Sequence, residues 1–484
     1  MKKILLLGAC CLLLIFLWWH WRLGMTRYFD VDEFAHLSWG YQMRSGARPY
    51  VDFLFFFPPG FHLFLTSLFA FGAGVTPLLA GRVFAFVVFV LLTASVILLY
   101  WQMRKSHVAI LAGVFLAFLP MPFDKFLEIR PDTLAVLFAM TGMTVQAFRL
   151  TGRGAFWAGI CYGASLLVLP KTLPQVGFAV MVEWLRYLFG RKRGGSAVPL
   201  KGLIAGLGIP LTLFALWTLT LGNIDQVWYS LTRLPVEANK ISETFIMMPD
   251  LFFYPNTTFY GSPGWDGGLM TTQAIWILAI AVAVYRLVTS PPSWTEFLIS
   301  GTFFVHVMTY VLFVPLKHTQ YLIPASYFVA IYAADAVGML WADARKRPVT
   351  ASMFAIGIMA GGALLYHVFV SVNRAKLAWT NQRTLENLTR LYRTIPPSEY
   401  VLDLTGETIY YRHPYPVCCI PFGQSGPYLS RPLPDLVQTL EKTQTKYIFQ
   451  GEVKRVSTLL PQDQAYISKN YLPHSTISDL LVRK

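Results

Sequence analysis

Residues 82–101 read RVFAFVVFVLLTASVILLYW, and the basic pair Arg104-Lys105 follows shortly after. An unbroken apolar run of roughly 20 residues matches the hydrocarbon thickness of a bilayer once it is helical. Working outward in both directions, runs of the same character recur from Ile4 to Val372, separated by short clusters of Arg, Lys, Gly and Pro. They predict about eleven membrane-crossing helices, near 4–19, 82–101, 108–123, 133–149, 155–170, 172–189, 199–220, 271–287, 295–315, 320–341 and 349–371. Over the whole 484 residues only 13% are charged and 55% are hydrophobic, against about 25% charged in ordinary soluble domains. A soluble fold is excluded.

Charge sets the expected orientation. The stretch from Pro58 to Gly74 is assigned to a helix lying at the interface. With it left out of the span count, Arg104-Lys105, Arg149 to Arg153, Arg191 to Arg193, Arg286 and Arg345 to Arg347 all fall on one side. The positive-inside rule makes that side cytoplasmic. The expected location is the plasma (inner) membrane, with the N-terminus in the cytoplasm and the C-terminal domain outside. Lys2-Lys3 followed by Ile4 to Trp19 reads as an uncleaved first span, since the apolar run continues past Cys10. The formal net charge of +15 sits in short clusters at helix ends, not in a stripe with interleaved aromatics, so nucleic acid is not an expected partner. Five cysteines are too few for a disulfide scaffold, and only Cys418 and Cys419 lie outside the apolar spans.

Two domains are expected. Residues 1–372 form the transmembrane part, with a first long outer loop at 21–74 and a second at 223–268; loops of such length on a rigid scaffold are where sites usually sit. Hydropathy falls after Val372. In 373–484, helical patches (Thr384 to Arg393, Leu433 to Thr443) alternate with strand-like runs (Tyr400 to Leu404, Lys446 to Phe449), predicting a small α/β domain outside the membrane.

The first outer loop carries Phe29-Asp30-Val31-Asp32-Glu33-Phe34-Ala35-His36, three carboxylates and an imidazole in eight residues. If the segment is helical, Asp32 and His36 are i,i+4 neighbours with Glu33 beside them. Two readings compete. One is a general base at the membrane surface, with a divalent metal on Asp30, Asp32 and Glu33 if any is used. The other is a solvated acidic turn or helix cap. A second signal is a set of cations at outer helix ends: Lys125, Arg130, Lys171, and Lys317-His318 before Gln320-Tyr321. They either converge on a phosphate at headgroup depth or snorkel and pair with local acids such as Asp124, Glu128 and Asp132. No zinc-type spacing, nucleotide-binding Gly-rich loop or Gly-x-Ser-x-Gly elbow is present.

The ordered series Asp32-Glu33, His36, Gly46, Pro49-Tyr50, Asp52-Phe53, Pro58-Pro59, Gly81-Arg82, Arg130-Pro131-Asp132, Lys171 and Gln320-Tyr321-Leu322-Ile323-Pro324 resembles the GT-C membrane glycosyltransferases, the superfamily of protein O-mannosyltransferases and lipid A aminoarabinose transferases. The resemblance spans most of the membrane part. It implies that Asp32 is the acidic catalytic residue, with Glu33 as its motif neighbour, and that a polyprenyl-phosphate sugar is the donor. Phe57 stands where some relatives place a cation. The expected activity is inverting transfer of a hexosyl or pentosyl unit to a glycan, lipid or protein acceptor on the outer face, in contact with membrane lipids. His36, Arg130, Asp132, Lys171, Lys317, His318 and Tyr321 are the expected substrate-binding set. The competing class is a lipid or lipid-linked glycan transporter or flippase, for which repeats, broken helices and ionisable groups near the midplane are the usual marks.

Overall fold

The computed structural model describes residues 2–148, 151–191, 198–240, 265–289, 293–314, 319–344, 346, 348–416, 426–451, 454–477 and 479–484. In chain order its helices are α1 (Lys2–Thr26), α2 (Val31–Arg44), α3 (Gly60–Leu68), α4 (Thr76–Arg104), α5 (Ala109–Phe118), α6 (Pro120–Phe126), α7 (Pro131–Phe148), α8 (Gly152–Val168), α9 (Leu173–Arg191) and α10 (Val198–Thr220). The short α11 (Ile224–Trp228) and α12 (Leu234–Asn239) follow, then α13 (Trp265–Thr289), α14 (Trp294–Phe313), α15 (Ile323–Ala344) and α16 (Pro348–Asn373). Among the described residues seven stretches are long and apolar enough to cross a bilayer, or eight with α5 and α6 taken as one broken span. The chain is an integral, multi-pass membrane protein. Helices α7, α8 and α9, expected as three further spans, fall outside that set; Gln146 on α7 and Gln175 on α9 are buried inside the bundle. Gln146 donates to the Ala179 carbonyl at 3.0 Å and accepts from the Tyr162 hydroxyl at 2.8 Å.

One expected span departs from a straight helix. The run 108–123 turns by 77° between α5 and α6. Pro120 lacks an N–H and forces Leu119 before it out of the helical region, to φ −46°, ψ 112°. The turn lays α6 across the end of the bundle and carries Lys125 and Glu128 toward α2. The second long loop lies in large part outside the described residues, which omit 241–264.

Packing follows composition. Helix α15 is apolar on every side, and a helix of that kind belongs at the centre; all of its residues from Ala325 to Ala336 are buried. Helices α8 and α10 approach through glycines. A Cβ at Gly206 would lie 2.0 Å from the Phe156 carbonyl oxygen, and one at Gly159 2.2 Å from that of Leu203. Such small-residue contacts replace the hydrophobic drive that lipid cannot supply. At one end of the bundle Asp335, 1% exposed, takes both Arg104 and Arg286, at 3.0 and 2.7 Å. Arg104 also reaches Glu296 at 2.9 Å.

At the opposite end, after α16, come α17 (Gln382–Thr394), β1 (Val401–Asp403), α18 (Leu436–Lys442), β2 (Tyr447–Phe449), α19 (Pro461–Asn470), β3 (Tyr471–Pro473) and β4 (Leu480–Arg483). The four strands form one sheet in the order β1-β2-β4-β3, with β1 parallel to β2 and the other pairs antiparallel. Leu402, Leu440, Ile448 and Ile467 form the core of this small α/β unit. It is joined to α2 and α3 through Ile409, which shares a cluster with Phe29, Phe34, Leu37 and Phe61. The Tyr410 hydroxyl donates to the Gly74 carbonyl at 2.8 Å.

Replacing Gly206 by valine should therefore separate α8 from α10, at a cost of at least about 1–3 kcal/mol. The expected readout is a lower melting temperature of the detergent-purified protein. Substitution of Gly208, where nothing lies within 4 Å of a Cβ, serves as the control that should leave it unchanged.

Candidate active site

The acidic segment folds as a capped helix start. Asp30 is the N-cap of α2, and its Oδ1 accepts the Asp32 N–H at 3.0 Å, while Glu33 Oε1 accepts the Asp30 N–H at 2.9 Å. This reciprocal capping box satisfies amides that a helix start leaves without partners. It also sorts the three acids. Asp30 and Glu33 are turned back into the protein, and the Asp32 side chain stays 43% exposed.

Glu33 is completely buried. Arg82 of α4 meets it at 2.5 Å, and the Ile129 N–H donates to its Oε2 at 3.0 Å. The same guanidinium donates to the carbonyls of Gly24, at 2.7 Å, and Tyr28, at 2.9 Å. One ion pair thus joins the end of α1, the start of α2, the body of α4 and the turn before α7.

A second buried carboxylate, Glu128, gathers three cations: Arg27 at 2.5 Å, Lys125 at 2.8 Å, and Arg130. Burial by itself would raise the Glu128 pKa, but Lys125, Arg27 and Arg130 outweigh it and hold the carboxyl well below its usual range. Arg130 continues outward to Asp32, with Asp30 Oδ1 at 3.7 Å. Burial likewise opposes the charge on Arg130, and Asp32, Glu128 and Asp30 overcome it, keeping the guanidinium firmly protonated. Three cations and three carboxylates therefore alternate around Asp32. Nearby, Lys171 pairs with Asp132 at 3.0 Å and lies over the Tyr321 ring, 4.1 Å from its centroid.

Of the residues singled out in the sequence, Asp32, Glu33, Arg130, Asp132, Lys171 and Tyr321 lie at one end of the bundle. Lys317 and His318 lie outside the described residues. The pairing of these cations with local acids holds for Glu128 and Asp132, whereas Asp124 pairs with Lys376 at 2.8 Å. His36 shares α2 with Asp32 but is 5% exposed, bonded to His62 at 3.1 Å and enclosed by Trp39, Phe57 and Phe61. The three acids do not fit a metal: each faces guanidinium, ammonium or amide donors, and no group of three or more ligands converges among the described residues. Sequence reasoning missed Arg27 as a partner of Glu128; its place directly after the first span was the available signal.

By overall structure the chain is similar to ArnT from Cupriavidus metallidurans bound to undecaprenyl phosphate, with a TM-score of 0.58 at 14% identity over 98% of this chain and 97% of that one. It is also similar to the Archaeoglobus fulgidus oligosaccharyltransferase in its apo form, with a TM-score of 0.53 at 12% identity over 96% of this chain and 72% of that one. The archaeal enzyme AglB in complex with an inhibitory peptide and a dolichol-phosphate gives 0.52 at 11%, over 98% and 74%. This is the GT-C fold. No protein-family model matches the sequence, and no curated protein matches it. Within the GT-C bundle described here, the acids and cations gather at the end that carries the α/β unit.

Two outcomes follow from these charges. Glu128→Gln leaves Arg27, Lys125 and Arg130 short of their common counter-charge, and should destabilise the protein by roughly 3–5 kcal/mol, read as a lower melting temperature. Burial, aided by Arg130 and Lys171, pushes His36 down to about 3, and burial with the neighbouring His36 pushes His62 well below its ordinary value. Both are neutral in the folded state, while the unfolded chain takes up protons from about pH 6.5 downward. Stability is therefore full above that pH and lost as pH falls, by up to about 1.4 kcal/mol per unit for each histidine. Melting temperatures measured from pH 7 to pH 5 should fall; a flat profile would contradict the buried pair.

Proposed function

We propose that this chain is an inverting glycosyltransferase that moves a hexosyl or pentosyl unit from a polyprenyl-phosphate donor to an acceptor on the outer face of the plasma (inner) membrane. The observation that carries the reading is the exposed Asp32 carboxylate, held at the start of a capped helix beside Arg130 in a bundle of GT-C fold. On this reading the division at 372/373 separates the transmembrane transferase part from an extracytoplasmic domain, and the N-terminus is cytoplasmic.

The chemistry uses the residues in distinct roles. Asp32 takes the proton of the acceptor hydroxyl, whose oxygen forms the new bond to the anomeric carbon. The anomeric carbon–oxygen bond to the phosphate breaks, and both electrons leave on the phosphate oxygen. Attack from the face opposite the leaving phosphate inverts the anomeric centre, through an oxocarbenium-like state. Arg130 and Lys171 stabilise the charge that develops on the phosphate. Glu33, sealed against Arg82, is a positioning residue that fixes the direction of α2. His36 and Asp132 act in the same supporting way, the first through the aromatic box around it and the second by holding Lys171. A donor phosphate competes with Asp32 for Arg130, so arrival of the donor releases the base.

The test is transfer from a panel of radiolabelled polyprenyl-phosphate sugars in membranes containing wild type or Asp32→Asn, with expression matched. Wild type should transfer label, and Asp32→Asn should lose roughly 100-fold or more of the rate with its melting temperature retained. Equal transfer by both removes Asp32 from the reaction. Absence of transfer from every donor favours the lipid-transport reading instead.

A further inference from the structure

The end of the bundle opposite Asp32 holds a cavity of about 750 Å³. Arg82, which meets Glu33, and Arg104, which lines the cavity, both belong to α4 and stand 22 residues apart, about 33 Å at the helical rise. That distance matches the hydrocarbon thickness of a bilayer, so the two arginines lie at opposite headgroup layers. The cavity is remote from the groups around Asp32, and the transfer reaction makes no use of it.

Its lining is apolar on some sides and charged on others. Leu5, Leu6 and Ala9 of α1, Ile110 and Leu111 of α5 and Ile358 of α16 supply apolar surface. A Cβ at Gly338, also on the lining, would lie 2.8 Å from the Tyr100 hydroxyl, so the missing side chain keeps that part open. The buried floor is ionic and balanced: Asp335 receives Arg104 and Arg286 at 3.0 and 2.7 Å, and Arg104 also holds Glu296 at 2.9 Å. The exposed rim is not. There Lys346 pairs with Asp343 at 2.7 Å, with side chains 74% and 79% exposed, and a pair so placed is weak. Lys105 is exposed as well; its Nζ lies 4.5 Å from the Trp101 ring centroid, and no carboxylate among the described residues pairs with it. Four lining cations thus meet three carboxylates, Glu296 included, and Lys3, exposed on the first turn of α1 two residues before Leu5, adds a fifth. The positive surplus remains with Glu296, Asp335 and Asp343 all counted.

We propose that this cavity binds an anionic phospholipid of the leaflet opposite the one that Asp32 faces, its phosphate at Lys105 and Lys346 and an acyl chain against α1, α5 and α16. A soluble anion would have no use for the apolar walls, and a neutral lipid none for the unbalanced rim. Basic pockets between membrane helices take lipid headgroups by this combination, and the volume is in the range of small-molecule sites. The site is independent of the glycosyltransferase reading, since it shares no residue with the cluster around Asp32.

The experiment uses the full-length protein in detergent, with phosphatidylglycerol, phosphatidylcholine, undecaprenyl phosphate and inorganic phosphate as binding probes. Wild type should bind phosphatidylglycerol more tightly than phosphatidylcholine. Lys105→Ala should weaken phosphatidylglycerol by about fivefold and Lys105→Glu by more, with phosphatidylcholine unchanged and the melting temperature retained. Ala342→Trp, which fills part of the cavity from an exposed position on its lining, should weaken both phospholipids. Lys442→Glu, exposed at the end of α18 in the C-terminal unit, is the control and should change neither. Should Lys105→Glu fail to fold, Lys346→Glu carries the comparison. Equal affinity of the wild type for the two phospholipids, or phosphatidylglycerol binding that Lys105→Glu leaves unmoved, overturns the proposal. Ready displacement of phosphatidylglycerol by inorganic phosphate would make this a soluble-anion site, and undecaprenyl phosphate losing as much affinity as phosphatidylglycerol in Lys105→Glu would make it a polyprenyl site; either result overturns the phospholipid assignment and leaves the role of Asp32 standing.

Discussion

The buried pair of Glu33 and Arg82 is the constraint on which the site depends. Both side chains are fully sealed, and an ion pair so placed is tolerable because backbone groups around it supply further partners. The carbonyls of Gly24 and Tyr28 and the amide of Ile129 supply those partners. The consequence is geometric. The end of α1, the entry to α2, α4 and the turn before α7 cannot shift independently, so Asp32 has a fixed position relative to the first span. Removing either charge would leave its partner buried and alone, a cost of about 3–5 kcal/mol.

Around that rivet the remaining charges divide by exposure. Glu128 is sealed and holds three cations in place, whereas Asp32 meets solvent and pairs, among the described residues, with Arg130. A network that is nearly neutral yet lies at the rim of an apolar bundle can exchange one anion for another at small electrostatic cost. This is the property required of a site whose resting partner is a carboxylate and whose working partner is a phosphate. Among the described residues the other large ionic cluster, Asp335 with Arg104 and Arg286, closes the opposite end.

Much of this was legible in the sequence because a bilayer admits few backbone solutions, and helix length and apolarity announce them. The spans around 82–101 and 349–371 and the strand-like runs in the C-terminal unit correspond to α4, α16, β1 and β2. The break in the run 108–123 was less legible, since hydropathy is blind to the geometry that Pro120 imposes. The acidic segment announced itself by composition, but the division of labour within it depended on contacts distant in sequence. Nothing local in Asp-Val-Asp-Glu says that Glu33 will face Arg82 and Asp32 will face outward; the cap geometry at Asp30 decides that. His36 illustrates the same point, because helical spacing placed it correctly beside Asp32 while burial against His62 removed it from direct contact with solvent.

The α/β unit is fastened closely to the acidic helix. Lys376 reaches Asp124 at 2.8 Å, Asn381 donates to the Met25 carbonyl at 2.9 Å, and Trp379 lies 5.8 Å from the Arg27 guanidinium. These contacts sit on the same α1–α2 junction that Arg82 secures from the membrane side. The junction is therefore clamped from both directions, by the bundle through Glu33 and by the C-terminal unit through Arg27 and Met25. Any substrate that reached Asp32 would have to enter between two bodies already held in register, which favours precise placement of reacting atoms over loose capture.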